Sequence, residues 1–348
     1  CIIISNNLVF YLVERIKMKA ALLKKYKKNN YDLEICEIDK PTIDNNEVLV
    51  KVKTMGVNPL DNMITTGQIN PIIKYKLPTI AGNELVGEII ETKSTKFKVG
   101  DRIYSRLPIN KIGAFAEYVA LNEKDIALVP EYLNNEEAAC IPLAALTAMQ
   151  AFDLLNIEKD KIILITGASG SFGAIAVQLA KYFDLYVIAT GNEVSRNRLL
   201  NLGANEYYDY KNTNIVDNIK DVDYIIDAVG NKESLNLFKC LKSGGTFVSL
   251  KGMPNKEFAE RMGFGGFKKM LFSIAGKKYD NLAKKNNQKY RFLFVESNGE
   301  QLLKVSKILE ETKIQPTIDS VWNFKDINKV MNKLVKGKSI GKVVLKFN

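Results

Sequence analysis

Residues 162–181 read IILITGASGSFGAIAVQLAK. The opening run, from Ile162 to Thr166, is apolar or β-branched and predicts a buried parallel strand. Gly167, Ala168, Ser169, Gly170, Ser171, Phe172 and Gly173 follow as a glycine-rich turn. Ala174, Ile175, Ala176, Val177, Leu179 and Ala180 then mark a mostly apolar helix. A bare G-x-x-G is often an ordinary turn, but strand, glycine turn and helix in this order form a dinucleotide fingerprint. Without a Cβ, Gly170 lets backbone approach a pyrophosphate, and Gly173 lets the helix pack close on its strand. The helix N-terminus adds N–H donors and a positive dipole end. Ser169, Gly170, Ser171, Phe172 and Gly173 are therefore the first candidate cofactor-binding residues.

Downstream, residues 185–190 predict a second strand, and 194–203 its helix, stopped by Gly203. Strands are expected at 207–210, 222–230, 245–250 and 291–295, with a crossover helix at 234–241. This alternation predicts an α/β, doubly wound parallel sheet. Residues 252–289 read as an irregular lid or interface segment, with a membrane-surface helix as the other reading. An amphipathic helix at 300–311 and a strand at 339–347 end the chain. Upstream, 47–58, 80–92, 97–105 and 113–121 read as short strands with turns, a β-rich barrel. Residues 136–156 are helical and carry Thr147 into the nucleotide-binding part. Neither an internal repeat nor a membrane span is expected.

Composition narrows the chemistry. The chain has 348 residues, 46% hydrophobic and 26% charged, which suits a globular protein of one large or two medium domains. Cys1, Cys36, Cys140 and Cys240 show no C-x-x-C, which points to a reducing, cytoplasmic location. Histidine is absent, so Ser-His and Cys-His nucleophiles are excluded and no metal site is expected. Proton transfer then falls to Tyr, Lys, Asp, Glu, a cofactor hydroxyl or water. The net charge of +11 is spread along the chain, which predicts a solvated lysine-rich surface rather than a nucleic-acid site. Residue 1 is Cys, and Met18 opens the first strand-like run, so residues 1–17 are expected to be a non-native extension.

Several motifs together carry a family resemblance: GVNPLD (56–61), LPTIAGNELVG (77–87), VGDRIY (99–104), GAFAEYV (113–119), AACIPLAALTA (138–148), GASGSFGAIAVQLAK (167–181), DAVG (227–230), YRFLF (290–294) and GKVVL (341–345). In order and spacing, from Met18 onward, the chain resembles the medium-chain dehydrogenase/reductase superfamily, zinc-free quinone oxidoreductase and alkenal/enone reductase branch. The resemblance implies a GroES-like catalytic domain, 18–130 and 296–348, around a Rossmann NADP-binding domain, 131–295. It implies a homodimer through the sheet edge at 291–295. Where the zinc branch has Gly-His-Glu, this chain has Gly82-Asn83-Glu84, so Glu84 is expected to be structural.

The same resemblance assigns site residues. Asn58 is placed beside nicotinamide and substrate, as a donor to a developing enolate or quinol oxygen; Asp61 is expected to fix its loop. The loop tyrosine common in relatives is replaced by Met63 and Ile69, which leaves Tyr75 as the nearest catalytic tyrosine. Thr147, Val229, Gly230 and Leu250 are expected along the cofactor. The second strand ends in Thr190-Gly191-Asn192 with no acid for the ribose hydroxyls, which favours NADPH over NADH. Ser195 stands where NADPH relatives carry lysine, Arg196 is expected to replace it at the 2′-phosphate, and Tyr210 matches a family tyrosine there. The implied reaction is NADPH-dependent hydride transfer to a quinone or an α,β-unsaturated carbonyl. An enoyl-thioester reductase is the near alternative, and a non-catalytic RNA- or lipid-binding protein the distant one.

Overall fold

The computed structural model describes residues 2–5, 8–11, 16–28, 32–230, 232–337 and 339–347. In chain order the first elements are β1 (Ile2–Ser5), β2 (Leu8–Tyr11), β3 (Lys17–Leu23), β4 (Glu34–Asp39), β5 (Glu47–Val57), α1 (Pro59–Thr65), β6 (Thr79–Ile80), β7 (Glu84–Thr92), β8 (Arg102–Arg106), β9 (Tyr118–Asn122) and β10 (Ile126–Leu128). Next come α2 (Asn135–Ala138), α3 (Pro142–Leu155), β11 (Ile162–Thr166), α4 (Ser171–Tyr182), β12 (Tyr186–Gly191), α5 (Arg196–Asn201), β13 (Glu206–Asp209) and α6 (Ile215–Asn218). β14 (Val222–Asp227), β15 (Leu241–Ser249), α7 (Lys256–Arg261), α8 (Gly266–Lys285) and β16 (Lys289–Phe292) follow. The chain closes with α9 (Gly299–Thr312), β17 (Ile318–Asn323), α10 (Ile327–Val335) and β18 (Lys342–Lys346). Of the expected extension, residues 1, 6, 7 and 12–15 lie outside the described residues; among the described residues β1 and β2 pair only with each other.

Six parallel strands form one sheet in the order β13-β12-β11-β14-β15-β16. Their near-continuous apolar runs suit strands covered on both faces; all six residues of β14 are buried. β11 lies at the centre, with the strand order reversing beside it, so the crevice for a ligand opens at the C-terminal ends of β11 and β14. The GroES-like part is a second sheet, β10-β8-β7-β5-β18-β17 with β9 on β5, beside a small β4-β3-β6 sheet. β18 pairs antiparallel with β5, so the end of the chain returns to the sheet formed by its first third. α3 begins at Pro142, which needs no N–H there, and ends with Asn156 in the left-handed region at φ 50. Residues Asn135–Leu155 are long and apolar enough to cross a membrane, but 78% of that window is buried as core.

Four local expectations are corrected. Residues 252–289 are not irregular: they hold α7 and α8. α8 buries Phe272, Gly276, Tyr279 and Ala283, a helical spacing hidden in the sequence by interleaved lysines. Gly276 marks close packing, since a Cβ there would sit 2.4 Å from Asn255 Cβ. The last sheet strand is 289–292 rather than 291–295; Leu293, Phe294 and Val295 are apolar because they line the cleft. The strand expected at 113–121 runs from 118 to 122 instead, because Ala114 and Phe115 cross to Gly82 and Ala81 carbonyls. The 234–241 helix is a 3-10 turn at Lys232–Lys239.

Candidate functional site

A cleft of ≈ 630 Å³ lies between the two sheets. Val57, Asn58, Met63 and Ile69 line one wall; Gly167, Gly170, Phe172 and Leu250 line the other. The glycine turn splits into two jobs. A Cβ on Gly173 would sit 2.2 Å from Ala168 Cα, so this glycine packs α4 onto the turn. A Cβ on Gly170 would meet only Gly167 O at 3.6 Å, so its open side faces the cleft. Gly170 is also the N-cap of α4 and supplies no side chain to its first N–H groups. Ser171 and Phe172 line the same end. Ser169 does not; its Oγ accepts from Asn192 N at 2.8 Å and ties the turn to the end of β12.

The loop after β14 is held by a carboxylate that sequence reasoning left unassigned within DAVG. Asp227 is fully buried. Its Oδ1 accepts from Thr166 Oγ1 at 2.8 Å and Val229 N at 3.1 Å, and Oδ2 from Gly230 N at 3.3 Å. Val229 and Gly230 are thus shaped by Asp227, but neither lines the cleft; Leu250 does, and its N–H donates to Asp227 O.

At the end of β12 the expected 2′-phosphate ligand, Arg196, lies at the surface in local bonds. Arg196 Nε and Nη2 hold Glu193 at 2.6 and 2.9 Å, and Nη1 donates to Tyr207 O at 2.7 Å. Glu193 precedes Arg196 by three residues on one turn, so the pair forms locally. Arg198 likewise donates to Ser169 O and Thr317 Oγ1. Thr190 and Ser195 are buried, whereas Tyr210 is exposed with Lys211 beside its ring.

On the opposite wall, Asn58 belongs to a buried polar network. Its backbone N–H donates to Asp61 Oδ2 at 2.8 Å, and Asn83 Nδ2 donates to Asp61 Oδ1 at 2.6 Å. Asn58 Nδ2 donates to Glu84 Oε1 at 2.8 Å and, weakly, to Gly56 O at 3.5 Å. Lys342 Nζ donates to Asn58 Oδ1 at 2.7 Å and also to Glu84 Oε1. Glu84 Oε2 accepts from Leu143 N at 2.8 Å, which joins the barrel to the start of α3. One helical turn on, Thr147 lines the cleft with its Oγ1 donating to Leu143 O. Lys342 is legible in the sequence only as the second residue of GKVVL, with no sign of its partners. Tyr75 is not at the cleft: its hydroxyl donates to Ile109 O at 2.6 Å, and burial pushes the phenol well up. Ser339, also missed, lines the cleft with a buried hydroxyl that has no hydrogen-bond partner among the described residues.

Burial pushes the Asp61 carboxyl up to about 7, Glu84 adds to the rise, and the two donated bonds oppose it. A carboxyl raised in the folded state stabilises fully below its unfolded value and loses that contribution as pH rises through about 7. Stability of the wild type should therefore fall between about pH 4 and pH 7, by no more than ~1.4 kcal/mol per unit. Asp61→Asn should flatten that part of the profile. Thermal unfolding of both proteins across this range checks it, and an equal slope in the two would contradict it.

Comparison with known proteins agrees with this architecture. Residues 44–131 match the family described as "Alcohol dehydrogenase GroES-like domain", and residues 202–345 that described as "Zinc-binding dehydrogenase". The 2-methylene-furan-3-one reductase of Solanum lycopersicum is 30% identical over 317 residues, 88% of this chain and 73% of that protein. The mitochondrial NAD(P)H oxidoreductase RTN4IP1 of Danio rerio is 29% identical over 362 residues, 97% of this chain and 93% of that protein. The structure of the quinone oxidoreductase from Coxiella burnetii superposes with a TM-score of 0.82 at 26% identity, covering 96% of this chain and 100% of that one. Zinc does not fit the residues here: the chain has no histidine, and Glu84 is engaged by Lys342 and Asn58. Among the described residues, no group of three or more Cys, Asp or Glu could hold a metal. The cytoplasmic expectation is overturned, because the RTN4IP1 relatives from Danio rerio, Dictyostelium discoideum, Bos taurus and Homo sapiens are all named as mitochondrial.

Proposed function

Because this chain belongs to the medium-chain dehydrogenase/reductase superfamily, oxidoreductases that work with a nicotinamide cofactor, we propose that it uses NADPH to reduce a quinone or an α,β-unsaturated carbonyl. The observation that carries the reading is one apolar cleft with the open face of Gly170 at one wall and Asn58 at the other. The cofactor fits the residues present. Gly170 leaves room for a pyrophosphate beside the uncapped first turn of α4, and Thr147 and Leu250 flank the way to Asn58. Bound there, the nicotinamide would supply hydride.

The chain's own contribution is positioning and charge stabilisation. The apolar wall of Met63, Ile69, Ile72 and Phe294 excludes water and receives the carbon skeleton of the acceptor. Asn58 Nδ2 keeps one hydrogen on Glu84; the other, held only by the 3.5 Å contact to Gly56 O, is the donor for the acceptor oxygen. The unpartnered Ser339 hydroxyl is a second donor on the cleft wall. NADPH is preferred in this reading because β12 ends without a free acid: Glu193 is neutralised by Arg196, and Tyr210 and Lys211 stand exposed nearby. The domain division at 130 and 295 is part of the reading, supported by the pairing of β18 with β5. So is a homodimer, supported by β16 as the edge strand of the six-stranded sheet.

The test is cofactor oxidation by the purified chain with benzoquinone, naphthoquinone, short enals, enones and a crotonyl thioester. Turnover of quinone or enone, with NADPH favoured over NADH, is the expected result. Absence of turnover with every acceptor would overturn the reductase reading, and equal efficiency with the two cofactors would overturn the NADPH assignment.

A further inference from the structure

α8 carries two faces. Phe272, Gly276, Tyr279 and Ala283 are buried against the fold. On the opposite side, Phe267, Met270, Leu271 and Ile274 stand at i, i+3, i+4 and i+7, and Phe267 and Ile274 are 72% and 65% exposed. Further along the same outer side, Lys277, Lys278 and Lys285 are exposed, with Lys284 at its edge. The one acid of the helix, Asp280, is turned to Asn255, whose Nδ2 donates to it at 2.7 Å. The apolar stripe also runs on into the cleft, because Leu271, Phe272 and Ala275 line it and exposed Met253 stands at its wall.

We propose that this face of α8 docks on an anionic lipid bilayer, with Phe267, Met270, Leu271 and Ile274 in the acyl boundary and the lysines on the headgroups, so that a lipophilic acceptor enters the cleft from the lipid. An apolar stripe beside a lysine row is the composition of an interfacial helix. Charge selects the occupant. A second copy of this face would bring lysines and no acid, since Asp280 is held by Asn255, in a chain of net charge +11, whereas an anionic surface attracts each lysine. The entry of the acceptor rests on the reductase reading; the docking itself does not.

Flotation of the full chain with phosphatidylcholine vesicles, with and without phosphatidylglycerol, tests it. Binding should require phosphatidylglycerol and weaken with salt. Phe267→Ser with Ile274→Ser should weaken it by at least roughly tenfold, the worth of two lost apolar anchors. Lys277→Glu with Lys278→Glu should remove the preference for phosphatidylglycerol. Both variants should reduce water-soluble benzoquinone as the wild type does, while the serine variant loses turnover of a decyl-chain benzoquinone dissolved in the vesicles. A wild type that floats with neither vesicle, or serine substitutions that leave flotation unchanged, would overturn the docking. A wild-type dimer that the serine substitutions convert to monomer would assign the stripe to a second copy and also overturn it. Vesicle binding without reduction of any quinone supports the docking and counts against the reductase reading alone.

Discussion

Gly170→Val should abolish useful binding of the nicotinamide cofactor while leaving the protein folded. Gly170 has φ −80 and ψ 177, an extended conformation that valine adopts without strain. Its Cβ would lie 3.6 Å from Gly167 O, an ordinary contact, and the branched methyls would project toward the cleft. They would occupy the space a pyrophosphate needs to reach the first turn of α4. Affinity should fall by roughly a hundredfold, the loss of a backbone hydrogen bond to a charged oxygen at about 1.5–3 kcal/mol. Gly173→Val is the contrasting case. Its Cβ would meet Ala168 Cα at 2.2 Å and Ala168 O at 2.5 Å, backbone atoms that cannot step aside. That variant should lose stability by about 3 kcal/mol or more. Fluorescence titration with NADPH beside thermal unfolding separates the two. An unchanged dissociation constant in Gly170→Val would remove the glycine turn from the cofactor site.

These two glycines also show why the fingerprint is legible. Both roles depend on atoms within five residues, and the flanking apolar runs fix strand and helix by period alone. Where the sequence misleads, the deciding contact comes from elsewhere. Tyr75 is close to Asn58 in number, but its hydroxyl is drawn to Ile109 O on the far side of the chain's next strands. The lysines of 252–289 mask a buried face that only packing against Asn255 and the sheet reveals. Arg196 is different: Glu193 stands three residues away, and that spacing alone announces their local ion pair. Lys342 meets Asn58 across 284 positions, so no local pattern announces it.

That distant lysine gives the largest expected loss of stability. Lys342 and Glu84 are 1% and 0% exposed, and the ammonium bridges Glu84 and Asn58. Lys342→Met keeps most of the side-chain volume but leaves the Glu84 carboxylate facing only Asn58 Nδ2 and Leu143 N, with Asp61 close by. Breaking one side of a buried pair costs about 3–5 kcal/mol. Chemical denaturation should therefore show a lower midpoint at an unchanged slope, and a loss under about 1 kcal/mol would refute the role. Adding Glu84→Leu should restore much of the stability, because no uncompensated charge is then buried. It should not restore turnover. With both partners gone, the Asn58 carboxamide has neither Lys342 on its oxygen nor Glu84 on its nitrogen, and nothing fixes which end faces the acceptor. A stable double variant with depressed kcat and a normal cofactor dissociation constant would separate the two duties of the pair: neutralising each other in the core, and holding Asn58 in register with the cleft.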